Sequence, residues 1–209
     1  MKNRKKVLAA LLAGVMTLSM GTTVFAAAED GYALKATNTE AKSPDNDLVI
    51  AIEGSVSSMD PANIPDTNAI SATRGCYEML VAFDENQEIQ GQLAESYEVS
   101  EDSLTYTFHL REGVKFTDGT DFNAAAVKAN YDRIIDKENN LRQRRTFVVT
   151  GEDGSETYRV ESIETPDDYT VVFKLTEPWA PFINRMTQIC MISPAALEEY
   201  GNDIMNHPV

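Results

Sequence analysis

The sequence predicts an α+β domain, and three observations carry that expectation. Residues 104–110, "LTYTFHL", alternate apolar and polar side chains at the period of a half-buried strand. From Asn123 to Asp136 the apolar residues instead recur at three- and four-residue steps, the period of an amphipathic helix. Two further strand-like segments, 158–164 and 169–175, follow without the regular strand–helix–strand rhythm of a parallel sheet. No internal repeat or low-complexity tract interrupts the 209 residues.

The first 26 residues stand apart from that domain. Met1 to Lys6 carries four positive charges, Val7 to Met20 is an almost unbroken apolar run, and Val24-Phe25-Ala26 offers a small-residue cleavage pattern. These features predict a signal peptide and export. The apolar run falls short of the ~20 residues that cross a bilayer as a helix, so an uncleaved anchor is the weaker alternative. A lipoprotein needs a cysteine at the cleavage site, and the first cysteine is Cys76, so a released periplasmic or extracellular protein is expected. Residues 27–46 are polar and aperiodic and read as a flexible leader. The processed chain, Ala27 to Val209, is long enough for one domain with a real core, burying roughly 70% of the unfolded chain's surface.

The formal net charge is −15, and −19 without the four leader cations. That balance excludes nucleic acid as a partner, since phosphates require a basic footprint. Cys76 and Cys190 lie far apart in sequence. Export makes a disulfide chemically accessible, but Cys76 shares an apolar stripe with Ala72, Leu80 and Phe83 and is expected to be a buried thiol.

The elements follow in order. "DLVIAIE" (47–53) reads as a buried strand, and Gly54, Pro61 and Pro65 force a loop after it. Beyond Asp66, residues Ala69, Ala72, Cys76, Met79, Leu80 and Phe83 predict one long helix face. Leu104, Tyr106, Phe108 and Leu110 form the inward face of the next strand. After a loop with two glycines, Asn123 is the N-cap of a helix, with Phe122 placed to staple onto Val127. That helix directs Val127, Tyr131, Ile134 and Ile135 inward. A hairpin joins 158–164 to 169–175 through "TPDD", with Pro166 at the second turn position. "TGEDGSET" (150–157) reads as a surface turn. Ser193-Pro194 opens a short helix that stops at Gly201.

Catalytic and metal chemistry find no pattern to rest on. The two histidines are His109, on the outward face of a strand, and His207, beside Pro208. No HExxH, paired-cysteine or GxSxG spacing occurs, and acidic runs such as "EDGSE" read as solvated turns. No cofactor and no metal are expected. "RQRR" (142–145) is the one basic cluster in an acidic chain; it reads as charged surface at a helix end, with an anionic ligand as the alternative. Trp179 and Phe182 read as packing at a loop, with stacking on a ligand as the alternative. Ser57, Ser58, Asp66, Thr67 and Asn68 form a polar run between a strand and a helix, a place where small ligands are held and where ordinary capping occurs equally.

The run "LAESYEVSEDSLTYTFHLREGVKFTDGTDFNAAAVKANYDRI" (93–134) resembles the signature region of extracellular solute-binding proteins serving peptide, glutathione and nickel ABC importers. The likeness rests on Ala94-Glu95-Ser96, Leu110 to Phe116, Asp118-Gly119 and Phe122, and again on "DDYTVVFKL", "MISPAALEEYG" and "HPV". It covers about residues 47–209 and is nearest to the glutathione-binding branch. It implies the first lobe of a two-lobed, type II periplasmic-binding-protein-like fold, with mixed sheets, flanking helices and a scaffold subdomain over about 90–180. Family members are more than twice this long, so the resemblance implies an amino-terminal part without the second lobe. It also implies a binding protein, not an enzyme: a monomer that captures a small peptide, glutathione among the candidates, and delivers it to an ABC permease and its ATPase subunits. The first-lobe face of the cleft is expected at Ser58, Asp66, Thr67, Asn68 and Arg74. An exported hydrolase and an adhesive or structural surface module are the competing classes; the first would need a reactive serine beside a histidine, the second an anchor or repeats.

Overall fold

The structure, a computed structural model, describes residues 51–209. The expected signal peptide, the leader and residues 47–50 of the first expected strand lie outside the described residues. Ala51 to Glu53 take no strand conformation. The Glu53 carbonyl accepts a hydrogen bond from the Asn68 side chain at 2.6 Å, in place of a ladder partner.

In chain order the elements begin with helix α1 (Thr67–Thr73) and the hairpin β1 (Val81–Phe83) and β2 (Ile89–Gly91). Strands β3 (Ala94–Val99) and β4 (Thr105–Leu110) follow, then helix α2 (Ala124–Ile135) and a single-turn helix α3 (Arg144–Phe147). The hairpin β5 (Val148–Thr150) and β6 (Glu156–Tyr158) leads into β7 (Val160–Asp167) and β8 (Thr170–Leu175). Helices α4 (Phe182–Met186) and α5 (Pro194–Tyr200) come last, before a 3₁₀ segment Gly201–Asn206.

The centre is a four-stranded antiparallel sheet in the order β3-β4-β8-β7. In β4, Tyr106, Phe108 and Leu110 are buried while Thr105, Thr107 and His109 are not, as the alternation predicts. In β8, Val171, Phe173 and Leu175 turn to the same side. Helix α2 covers that face with Val127, Tyr131 and Ile134. Phe173 is the hub, its ring centroid 4.8 Å from Tyr131, 5.5 Å from Phe182 and 5.7 Å from Phe108. Tilted and edge-on aromatic pairs of this kind contribute about 0.5–1.5 kcal/mol each beyond area burial.

Asn123 caps α2 through its side-chain oxygen, which accepts from Ala126 N at 3.0 Å. Phe122 and Val127 are both fully enclosed in the same core. Ser193 caps α5, Pro194 is its first residue, and Gly201 ends it with φ of +53°. The segment between β4 and α2 is tied down at both ends. Phe122 N donates to the Val114 carbonyl at 2.9 Å, and the Asp118 carboxylate accepts from the Ser193 hydroxyl at the foot of α5. Gly91 is a glycine for a steric reason, since an added Cβ would stand 2.1 Å from the Ala94 carbonyl oxygen.

Three local expectations need correction. The helix after Asp66 is seven residues long and does not reach Phe83. The Thr73 hydroxyl donates to the Ala69 and Ile70 carbonyls, and the chain leaves the helix through successive tight turns at Gly75 and Cys76. Leu80 and Val81 then enter the core as part of an extended segment, whereas Cys76 is exposed rather than buried. Both cysteines are free. The hairpin joining β7 to β8 turns at Asp168-Tyr169, two residues later than expected. Pro166 falls instead in an irregular part of β7, between Glu164 and Asp167, on an edge strand where a missing N–H is tolerated.

Candidate functional site

Two concavities lie side by side near the loop that precedes α1. The larger, about 700 Å³, has Ser57, Ser58 and Asp60 on one side and Asn139 and Asn140 on the other. The smaller, about 400 Å³, has Thr73, Met79, Thr187 and Cys190 among its lining residues and Arg74, Arg142, Arg145 and Arg185 as its cations. Arg142 and Arg145 line both.

The wall shared with the loop is rigid. Asp60 caps the 3₁₀ turn Pro61–Asn63 by accepting from Ala62 N, and the Ser58 hydroxyl accepts from Asp60 N at 3.1 Å. Arg133 of α2 clamps the same Asp60 with two hydrogen bonds, at 2.7 and 3.2 Å. The opposite wall is stitched across sequence: Gln143 N donates to the Ala62 carbonyl at 3.1 Å, and its side-chain amide donates to the Gln188 carbonyl at 2.9 Å. Elements 62, 143 and 188 are thereby held together before any ligand arrives, which lowers the ordering cost of binding.

The expected site residues fall in different places. Ser58 lines the larger cavity and Arg74 the smaller. Asp66 is the N-cap of α1, accepting from Ala69 N at 2.9 Å and from the Ser57 hydroxyl at 2.6 Å. Those hydrogen bonds, from Ser57 above all, hold its carboxyl below the ordinary value of 3.8. Asn68 spends its amide on the Glu53 carbonyl, and Thr67 is the exposed first residue of α1, its carbonyl accepting from the Ser71 hydroxyl. Asp66, Thr67 and Asn68 line neither cavity.

The "RQRR" cluster divides by function. Arg144 turns away to Glu156, making two parallel hydrogen bonds of 2.9 Å. Arg142 and Arg145 face the cavities. The signal was present in the sequence as the one basic cluster; Arg185, 40 residues further on, carried none. Trp179 packs edge-on against Phe147 and under the Arg159 guanidinium, 4.8 Å from the ring centroid, so its role here is packing. Among the described residues no group of histidine, cysteine or carboxylate side chains is placed to hold a metal, and no helix is long and apolar enough to cross a membrane.

A mixed domain with an antiparallel sheet, flanking helices and a preformed polar cleft is the architecture of a periplasmic-binding-protein lobe. Solved structures agree. The chain superimposes on the ABC transporter-associated periplasmic binding protein DppA from Helicobacter pylori, in complex with peptide STSA, with TM-score 0.57 and 31% identity over 73% of this chain and 33% of that one. It matches the ABC transporter substrate binding protein CtaP from Listeria monocytogenes with TM-score 0.61 and 26% identity, over 72% of this chain and 29% of that one. Residues 88–209 match the family described as bacterial extracellular solute-binding proteins, family 5 Middle, and the chain belongs to that family. In sequence it is 41% identical to the glutathione-binding protein GsiB of Escherichia coli K12 over 165 residues. That alignment takes in 78% of this chain and 30% of the relative, so the chain spans under a third of the length of the curated relatives it matches.

Proposed function

We propose that this protein is the substrate-binding component of an ABC importer, capturing small peptides, with glutathione the leading candidate, outside the membrane. The observation that carries the reading is the 41% identity to a glutathione-binding protein over 165 residues, 78% of this chain. The bound peptide in the DppA structure supports the broader ligand class. The fold contributes rigid walls and a few placed polar groups, which is what capture without chemistry requires. Micromolar affinity corresponds to about −8 kcal/mol and is within reach of burial and hydrogen bonding when two lobes close on a guest.

In this reading residues 1–26 direct export, residues of about 90–180 form the scaffold of a first lobe, and the protein acts as a monomer. It hands its ligand to a permease driven by separate ATPase subunits. Ser58 and Arg74 contribute to the first-lobe face of the cleft, and Asp66, Thr67 and Asn68 shape the loop behind it. Calorimetric titration of the full-length protein with glutathione and a series of di- and tripeptides tests the assignment. Saturable heat with at least one of them is the expected result. Silence across the whole series, repeated by thermal shift, would remove peptide capture from consideration.

A further inference from the structure

We infer that the smaller cavity takes a ligand bearing two or more carboxylates, gripped by Arg74, Arg142, Arg145 and Arg185. The inference deepens the peptide-capture reading and rests on it for the claim that the carboxylates belong to a peptide. Its grounds are the composition of the cavity wall and the absence of counter-charges on it among the described residues.

The chain carries 33 acidic residues against 18 lysines and arginines, yet among the described residues no aspartate or glutamate lines this cavity. Four guanidinium groups do, brought from three separate segments: the C-cap of α1, the turn entering α3 together with α3 itself, and α4. None of the four forms an ion pair with a described residue, although Arg133, Arg144 and Arg159 all do. All four side chains are solvent-exposed at the rim, while Thr73 and Thr187 are buried behind them. Thr73 and Thr187 already donate to backbone carbonyls, which leaves the arginines as the charged donors of the wall, with Arg185 making a 3.4 Å hydrogen bond to the Gln188 side-chain oxygen.

Four like charges converging on one concavity repel one another, and on an acidic protein they form a local field opposite to that of the surface. A ligand with several negative groups relieves that repulsion. Guanidinium is suited to the task because its planar fork meets a carboxylate with two parallel hydrogen bonds. Ile64, Ile70 and Met79 in the same wall offer apolar contact for the aliphatic part of such a ligand. The two oxygens of one carboxylate are satisfied by one or two guanidinium groups, so a wall of four calls for two or more carboxylates.

The test is titration of the full-length protein and of two variants, R142Q/R145Q and R74Q/R185Q, at about 50 mM and about 500 mM salt. The probes are glutathione, the tripeptide Glu-Gly-Glu, trialanine amide, and citrate as a non-peptide polycarboxylate. Glutathione or Glu-Gly-Glu should bind at least about tenfold more tightly than trialanine amide, and the margin should shrink at high salt. Both double variants should erase most of that margin, whereas K128Q, on the exposed face of α2, should leave it unchanged. Melting temperatures within a degree or two of the parent would show that the rim variants are folded.

If trialanine amide binds as tightly as the acidic peptides, the carboxylate inference is overturned while peptide capture stands. If citrate binds and no peptide does, the inference about the cavity holds and the peptide reading falls. Binding of none of the four probes would end both.

Discussion

Arg133 and Asp60, 73 residues apart, form a two-point ion pair in which the side chains are only 13% and 7% exposed. It joins the buried face of the long helix α2 to the loop that walls the larger cavity. Breaking such a pair from one side leaves a charge without its partner in a poorly solvated place, a loss of about 3 kcal/mol or more. R133M should therefore lower unfolding free energy by about that amount in urea titration. The double variant D60N/R133M should recover part of the loss, because no isolated charge is then left behind. A double variant no more stable than R133M would show that the pair has no coupling of its own.

Asn130 fills a different gap with a neutral group. It is buried in the middle of α2, where its amide donates to the Ile192 carbonyl at 2.8 Å and accepts from Ile192 N at 3.0 Å. The side chain thus satisfies both backbone groups of a residue in the segment leading to α5. N130A would strand a buried N–H and a buried carbonyl, at a cost of about 1–3 kcal/mol for each group that finds no substitute partner. A helix-propensity gain of about 0.5 kcal/mol offsets little of this. The expected outcome is a cooperative transition shifted to lower urea by at least about 2 kcal/mol of stability, and a shift under about 0.5 kcal/mol would contradict it.

Most of what the sequence disclosed was local chemistry. The Asn123 cap, the alternation Leu104-Tyr106-Phe108-Leu110 and the Ser193-Pro194 start with its Gly201 stop each depend on residues within one turn of each other, and each is found. The overlong helix after Asp66 failed because three- and four-residue spacing also describes a short helix, a turn and a three-residue strand read end to end. Val81–Phe83 is too brief to show its own period. The hairpin turn slipped because an edge strand accepts Pro166 as readily as a turn does. The Asn130–Ile192 and Arg133–Asp60 pairs join residues 62 and 73 apart in sequence. The four-arginine wall gathers three segments lying 40 to 111 residues from one another, and no periodicity encodes such meetings. Of the expected site residues, Ser58 and Arg74 stand in cavity walls and Asp66 and Asn68 are occupied in holding the loop.

The two cysteines should differ sharply in reactivity. Cys76 is exposed, whereas burial pushes the Cys190 thiol from 9.0 up to about 11, against the pull of nearby Arg74. The thiolate is the reactive form, so the shift alone lowers the reactive fraction of Cys190 by ~100-fold near pH 8, and restricted access lowers it further. Under native conditions a disulfide reagent should label one thiol per chain rapidly, mapped to Cys76 by mass spectrometry. Cys190 should be modified only slowly or after denaturation. Equal labelling rates at both positions would refute the assignment.

Acid should weaken the fold through carboxylates that the native state holds ionised. Asp66 is lowered from 3.8 by the Ser57 hydroxyl and the Ala69 N–H, and Glu156 is lowered from 4.5 by the paired hydrogen bonds from Arg144. At Asp118 partial burial opposes ionisation, but the hydrogen bonds from Ser193 and Thr120 outweigh it. For each group the folded value lies below the unfolded one, so the unfolded chain binds protons first as pH falls. The stabilisation is complete above the ordinary carboxylate range and drains away as pH drops below about 4.5 and on through the lowered folded values. Melting followed by Trp179 fluorescence should therefore be nearly flat from about pH 7 to about 4.5 and then decline steeply toward pH 2. D66N, which keeps a capping oxygen but removes the titrating group, should melt with a shallower acid decline, and E156Q should behave likewise. A melting temperature that holds steady or climbs between about pH 4.5 and pH 2 would reverse the sign worked out here.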